Sequence, residues 1–338
     1  MLFGQTLQHL QDLCQREGFP KYTARQLCDW LYKKRVCDID QMTNLSLKTR
    51  ARLKEIDCVG RTAPVECHES ADGTRKFLFP VAGDASERCN HVETVYIPAD
   101  DRTTLCVSCQ VGCKMGCRFC ATGKLGFHGS LSAGEILNQI YSVPDSERLT
   151  NVVFMGMGEP MDNYEAIRQT IEVLTSDWGM GWSPHRLTVS TVGITPVLKR
   201  LLDECQCHVA VSLHNPFPDQ RRQLMPMEKA YPIADVVALL RKYNWRGQRR
   251  ISFEYTMMRG ENDSMDHAAA LVKLLKGLNC RVNLIRFHAS PGVPYSSSDE
   301  RTMTLFRDYL SSHGITATIR ASRGEDIEAA CGLLAKIK

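Results

Sequence analysis

From about residue 103 onward, short apolar runs alternate with helix-patterned segments, and this alternation limits the possible folds more than any other feature of the chain. The runs Thr104–Ser108, Asn151–Met155, Arg186–Ser190, His208–Leu213, Ile251–Met257, Val282–Phe287 and Ile315–Ile319 have the length of strands. Between them, Ala133–Tyr141, Tyr164–Thr175, Pro196–Glu204, Ile233–Tyr243, Met265–Lys276 and Glu300–His313 carry helical spacing. A parallel strand pair needs a crossover of about a dozen residues or more, which these helices supply. The expectation is an α/β fold, a full or partial (β/α) barrel over residues 99–338, with a doubly wound open sheet as the second choice.

The segments upstream read differently. Residues 1–60 suit a small helical module, with Leu7, Leu10 and Cys14, then Leu27, Trp30 and Leu31, then Leu45, Leu53 and Ile56 spaced along three helices, the last beginning at Ser46. This module holds 10 Lys+Arg against 7 Asp+Glu, with Lys33, Lys34 and Arg35 adjacent. Such a run is usually a solvated face, although a basic edge on a small helical module also suits holding phosphates. Residues 61–98 form a β connector: Asp72-Gly73 precedes Lys76-Phe77-Leu78-Phe79 as in a hairpin, and His91–Pro98 alternates like a strand.

Fifteen cysteines in 338 residues, an odd number spread over the whole length, do not resemble a secreted disulfide framework. Reduced thiols and a cytoplasmic location are expected. The N-terminus has no basic-then-apolar leader pattern and no run of apolar residues suits a membrane span, so no membrane association is expected. A net charge of +4 is too small to name a partner.

In parallel α/β folds chemistry gathers at the C-terminal ends of strands. After the first strand comes Cys113-x3-Cys117-x2-Cys120; after the second, Gly156-Met-Gly158-Glu159-Pro160; after the third, Ser190-Thr-Val-Gly193; after the fourth, Ser212-Leu213-His214-Asn215. Three thiolates in one glycine-containing loop suit a [4Fe–4S] cluster with one open iron. A zinc site completed by Cys109 or Cys106 is the competing reading. Glu159 suits a ligand ammonium, although the glycines around it also suit a plain strand-to-helix turn. Cys331, in a stretch read as a short helix closed by Gly332, and Cys106, in the first strand, read by default as packed small residues.

Taken together, Cys106-x2-Cys109-x3-Cys113-x3-Cys117-x2-Cys120-Ala-Thr-Gly, Gly156–Pro160, Thr188–Gly193, Val211–His214 and Arg323–Gly332 resemble the radical S-adenosylmethionine enzymes. Within that superfamily they resemble the dual-specificity rRNA/tRNA adenine-C2 methyltransferases. Relatives acting at adenine C8 share most of these motifs. The resemblance implies a partial (β/α)6-type, TIM-like barrel with an N-terminal helical accessory domain that binds RNA. It implies a [4Fe–4S] cluster on Cys113, Cys117 and Cys120, and S-adenosylmethionine held by Gly158, Glu159, Ser190, Ser212, Leu213, His214 and Asn283. Two S-adenosylmethionine molecules would serve each turnover. One methylates Cys331; the other is reductively cleaved, and its 5′-deoxyadenosyl radical takes a hydrogen from that methyl group. The resulting carbon radical adds to the adenine ring, Glu93 takes the C2 proton, and Cys106 releases product as a Cys106–Cys331 disulfide. The implied partners are 23S rRNA, tRNA and a small electron-transfer protein as reductant, with the chain a monomer. Arg286 and His288 stand where such proteins generally carry proline and asparagine, beside the retained Asn283 and Pro291–Tyr295. An added arginine there suits either a phosphate contact or plain solvation.

Overall fold

The computed structural model describes residues 1–81, 91–289 and 292–334. Its first part is helical: α1 (Leu7–Arg16), α2 (Thr23–Cys28), prolonged by a π-helical turn over Asp29–Lys33, and α3 (Leu47–Ile56). Hydroxyl caps start two of them, Thr6 accepting from the His9 N–H and Ser46 from the Thr49 N–H. Leu10, Leu27, Leu31 and Leu53 are buried. Two residues of the Lys33–Arg35 run have partners within the protein. Lys34 lies 3.5 Å over the Trp30 ring and 3.4 Å from Asp29. Arg35 donates to Ser146 Oγ at 2.9 Å and packs on Tyr141.

The connector is a hairpin, β1 (Glu66–Glu69) and β2 (Arg75–Pro80), turning at Asp72-Gly73 with Gly73 at φ +80°. Antiparallel strands β3 (His91–Pro98) and β4 (Thr103–Cys106) follow. Next come β5 (Gln110–Gly112) and β6 (Phe127–Ser130), a two-stranded ribbon enclosing the cysteine loop and α4 (Ala121–Lys124). The repeat then runs α5 (Ala133–Ser142), β7 (Asn151–Phe154), α6 (Tyr164–Thr175), β8 (Leu187–Thr191), α7 (Thr195–Glu204), β9 (His208–Ser212), α8 (Pro218–Leu224), α9 (Ile233–Leu240), β10 (Ile251–Met257), α10 (Met265–Leu275), β11 (Arg281–Arg286), α11 (Glu300–Ser312) and β12 (Thr316–Ile319). Expected and observed strands agree to within a residue or two, several of the apolar runs being bounded by caps or glycine turns. Ser132, for example, forms a capping box with Glu135 at the start of α5.

The main sheet has the order β1-β2-β3-β4-β7-β8-β9-β10-β11-β12, parallel from β4 to β12. It is a partial, TIM-like α/β fold whose sheet stays open, with β1 and β12 as its edges. The segment after β12 crosses from one edge to the other. Asp72 accepts from the Gly324 N–H at 3.1 Å, and Asp326 accepts from Ser70 Oγ at 2.5 Å and from the Ala71 N–H at 3.2 Å. The short helix expected before Gly332 does not form. Gly324–Glu328 is a turn instead, with Glu328 at φ +54°, since the side chain of Asp326 is committed to the hairpin. Among the described residues no helix is long and apolar enough to cross a membrane.

Candidate active site

The C-terminal ends of β7 to β12 of the parallel sheet, with the loop after β5, open into one cavity of about 160 Å³. Its wall includes Cys113, Cys117 and Cys120 from the loop after β5, Gly158 and Glu159 after β7, Ser190 on β8, Ser212 on β9 and His214 beyond it, and Cys331. The local backbone explains the glycines. Gly158 sits at φ +99°, and a Cβ there would come within 2.8 Å of the Gln110 backbone nitrogen. A Cβ on Gly156 would meet the Val107 carbonyl at 2.8 Å. Both glycines let the β7 turn lie directly on the β4–β5 connection.

Glu159 is buried and fixed at both oxygens, Oε1 accepting from the Met161 N–H at 3.1 Å and Oε2 from the Val192 N–H at 2.9 Å. Burial nevertheless pushes its pKa up to about 7, the hydrogen bonds from Thr191, Val192 and Met161 opposing. His214 adopts φ +54°; its Nδ1 accepts from the Thr256 N–H at 2.9 Å, so Nε2 carries the proton, and burial pushes its pKa down to about 3. Two of the expected ligand residues stand behind the wall. Leu213 is fully buried, and Asn283 donates to Glu254 Oε1 at 2.8 Å, Glu254 itself facing the cavity.

Sequence reasoning passed over the charged groups that hold this wall. Arg221 in α8 reads as a solvated helix residue, yet it is fully buried. It pairs with Glu228 and donates to the carbonyls of Leu213 and Ser212, each at 2.9 Å. Arg320, 3.4 Å from Glu254, stands beside Cys331. No motif marks either arginine: Glu254 is 66 positions from Arg320, and Glu228, only seven positions from Arg221, becomes its partner only because both are buried.

A second cavity of about 290 Å³ adjoins the first, sharing Met155, Ile285, Arg320 and Cys331. Cys106 opens into it, so Cys331 stands between the two chambers. Burial pushes Cys106 up to about 12, with the neighbouring Cys331 adding to the rise. Cys331 retains accessible surface, but burial by the surrounding protein also raises its pKa, against the pull of Arg320. Glu93 lines neither chamber. It is buried on the sheet face shared with Cys106, its carboxylate 3.0 Å from Lys76 Nζ. Arg286 and His288 are engaged with protein: Arg286 with Glu300 at 2.6 Å and the Arg320 carbonyl at 3.2 Å, His288 with Ser322 at 3.1 Å and Glu325 at 3.3 Å. Pro291, beside them, lies outside the described residues.

Residues 107–272 match the Radical SAM superfamily, and residues 1–59 match the ribosomal RNA large subunit methyltransferase N-terminal domain. The probable dual-specificity RNA methyltransferase RlmN of Phocaeicola vulgatus is 56% identical over 337 residues, covering 100% of this chain and 95% of its own. The chain belongs to the RlmN family of dual-specificity RNA methyltransferases. Its Bacteroides thetaiotaomicron counterpart is 54% identical over 338 residues, 100% of this chain and 96% of the other. The crystal structure of a radical SAM methyltransferase from Sphaerobacter thermophilus superposes with a TM-score of 0.90 at 42% identity, covering 98% of each chain.

Family membership makes the protein an S-adenosylmethionine-dependent RNA methyltransferase and brings with it a [4Fe–4S] cluster. The donor set fits that cluster. Burial, with repulsion from Glu159 and Cys120, pushes the Cys113 thiol up to about 12, and burial, with repulsion from Cys120 and Cys113, raises Cys117 well above its ordinary value, a cost that a cationic guest reverses. A [4Fe–4S] cluster binds thiolates at its iron corners, and the three cysteines of this loop all face the same cavity.

Proposed function

We propose that the chain methylates C2 of an adenosine in 23S rRNA and of one in tRNA, through a methyl group carried on Cys331 and a transient Cys106–Cys331 disulfide. The observation behind this reading is the place of Cys331 on the wall between two chambers, one with the three-cysteine loop and Glu159, the other with Cys106. Adenine C2 is an electrophilic ring carbon with no lone pair to attack a sulfonium, so direct polar transfer has no nucleophile. When bound on Cys113, Cys117 and Cys120, the cluster supplies the electron that splits S-adenosylmethionine, two molecules serving each turnover. Glu159 accepts from the ammonium of S-adenosylmethionine, and Gly158, Ser190, Ser212 and neutral His214 complete its seat. Leu213 and Asn283 act from behind, through the strand end and Glu254.

Arg320 offsets the burial of the Cys331 thiolate, the form that accepts a methyl group. Glu93 takes the C2 proton, and Cys106 then reaches the same sulfur from the second chamber. The helices of residues 1–60 serve as the RNA-binding accessory module, a small electron-transfer protein acts as reductant, and the chain works as a monomer. Nucleosides from RNA treated with reconstituted enzyme decide the regiochemistry: 2-methyladenosine is expected, and 8-methyladenosine in its place overturns the C2 assignment. Intact-mass measurement after incubation with S-adenosylmethionine should show one methyl group on the wild type and none on Cys331→Ala. A wild type that never gains it excludes the relay, as a non-catalytic zinc-containing module would.

A further inference from the structure

Lys76 is a buried ammonium that none of the chemistry above uses. It lies on β2 with 4% relative exposure, 3.0 Å from Glu93 Oε1, and its Nζ also donates to the Glu328 carbonyl at 3.3 Å. Burying an ammonium is costly unless it is paired, and an apolar pair of similar volume would hold a hairpin at least as well. The partners of Lys76 are specific to the site. Glu93 is the carboxylate assigned above to the C2 proton. Glu328, three residues before Cys331, is held at φ +54°. In register, Lys76 faces Val95 and Val95 faces Cys106, so Lys76, Glu93 and Cys106 share one face of the sheet beneath the Cys331 segment.

We propose that Lys76 is a positioning residue for the methyl-transfer site, tying the Glu93 carboxylate to the segment that carries Cys331. The anchors through Asp72, Asp326 and His288 lie near the start of that segment, and beyond Cys331 the Gly332 carbonyl accepts from the Ala121 N–H at 2.8 Å. Lys76 holds it where it approaches Cys331, through one ammonium that Glu93 and the Glu328 carbonyl share. The inference rests on Cys331 being the methyl carrier, and the two are tested separately.

The test measures the alkylation rate of Cys331 by iodoacetamide in cluster-free protein, mapped by peptide mass spectrometry, with the thermal midpoint as a check on folding. Lys76→Met is expected to raise the rate roughly tenfold, the factor expected on losing one charge-assisted hydrogen bond. Glu93→Gln should do the same, the double variant should exceed neither single one, and Lys76→Arg should restore part of the protection. Wild-type rates in Lys76→Met, or strictly additive effects, overturn the proposal and leave a structural ion pair. Should Lys76→Met fail to fold, Glu93→Gln against Lys76→Arg gives the same decision. The presence or absence of a methyl group on wild-type Cys331 reports on the relay alone.

Discussion

Glu159 shows how one buried carboxyl is held ready for a cationic partner. Burial raises its pKa from 4.5 to about 7 in the cofactor-free protein, so the protonated form favours the fold. Its contribution to stability is full below about pH 4.5 and is lost as the pH rises through 7. Against Glu159→Gln, the wild-type thermal midpoint should therefore fall between those limits and then level off; a difference that stays flat with pH means that Glu159 is not desolvated. His214 has the opposite sign. Its depressed pKa contributes stability above its ordinary 6.5 that is lost as the pH falls toward 3. The motif residues Gly158, Glu159, Ser190, Ser212 and His214 were legible as cavity-lining because each stands at the C-terminal end of a strand or within a few residues after it. Glu93 was legible only by resemblance, and its pairing with Lys76 not at all, since Lys76 reads as the solvated face of a hairpin.

Two elements carry the site on backbone geometry that side-chain patterns hide. The turn after β7 needs Gly158 at φ +99°, packed on the Gln110 backbone. Gly158→Ala should cost about 1–3 kcal/mol in chemical denaturation and weaken S-adenosylmethionine binding in calorimetry. Unchanged values for both would mean that the turn relaxes freely. The connection from β9 into α8 depends on Arg221, which satisfies carbonyls of Leu213 and Ser212 and pairs with Glu228 inside the protein. Arg221→Met alone should lose about 3–5 kcal/mol by stranding Glu228, and Arg221→Met combined with Glu228→Leu should recover most of it. Equal losses for single and double variants would locate the cost in the carbonyls. The stretch before Cys331 is the element most misread from sequence. Its composition suits a short helix, but Asp326 binds Ser70 and Ala71, more than 250 positions away, and a turn forms instead.

At the scale of the whole molecule, the N-terminal helices and the barrel share one core. Phe3 and Tyr32 pack with Tyr141 of α5, Trp178 joins them, and Gln169 of α6 donates to the Gly4 carbonyl at 2.6 Å. Arg61 spans the junction, donating to the carbonyls of Arg35 and Tyr141. Calorimetry of the cofactor-free chain should show one cooperative transition, and a chain beginning at residue 61 should aggregate because it exposes this aromatic cluster. Two separate transitions would show that the halves are independent. The sequence by itself determined the order of strands and helices, the parallel sheet and the loops that carry the three cysteines and Glu159, because apolar period, caps and crossover length are local properties. Tertiary structure alone decided that the sheet stays open, that the segment after β12 closes it across the hairpin, and that Cys331 stands between two chambers with Lys76, Arg221 and Arg320 behind it. The buried charges among them have partners as near as seven positions, for Arg221 and Glu228, or as far as 66, for Arg320 and Glu254, and the energy of such a pair exists only once folding has brought both out of water.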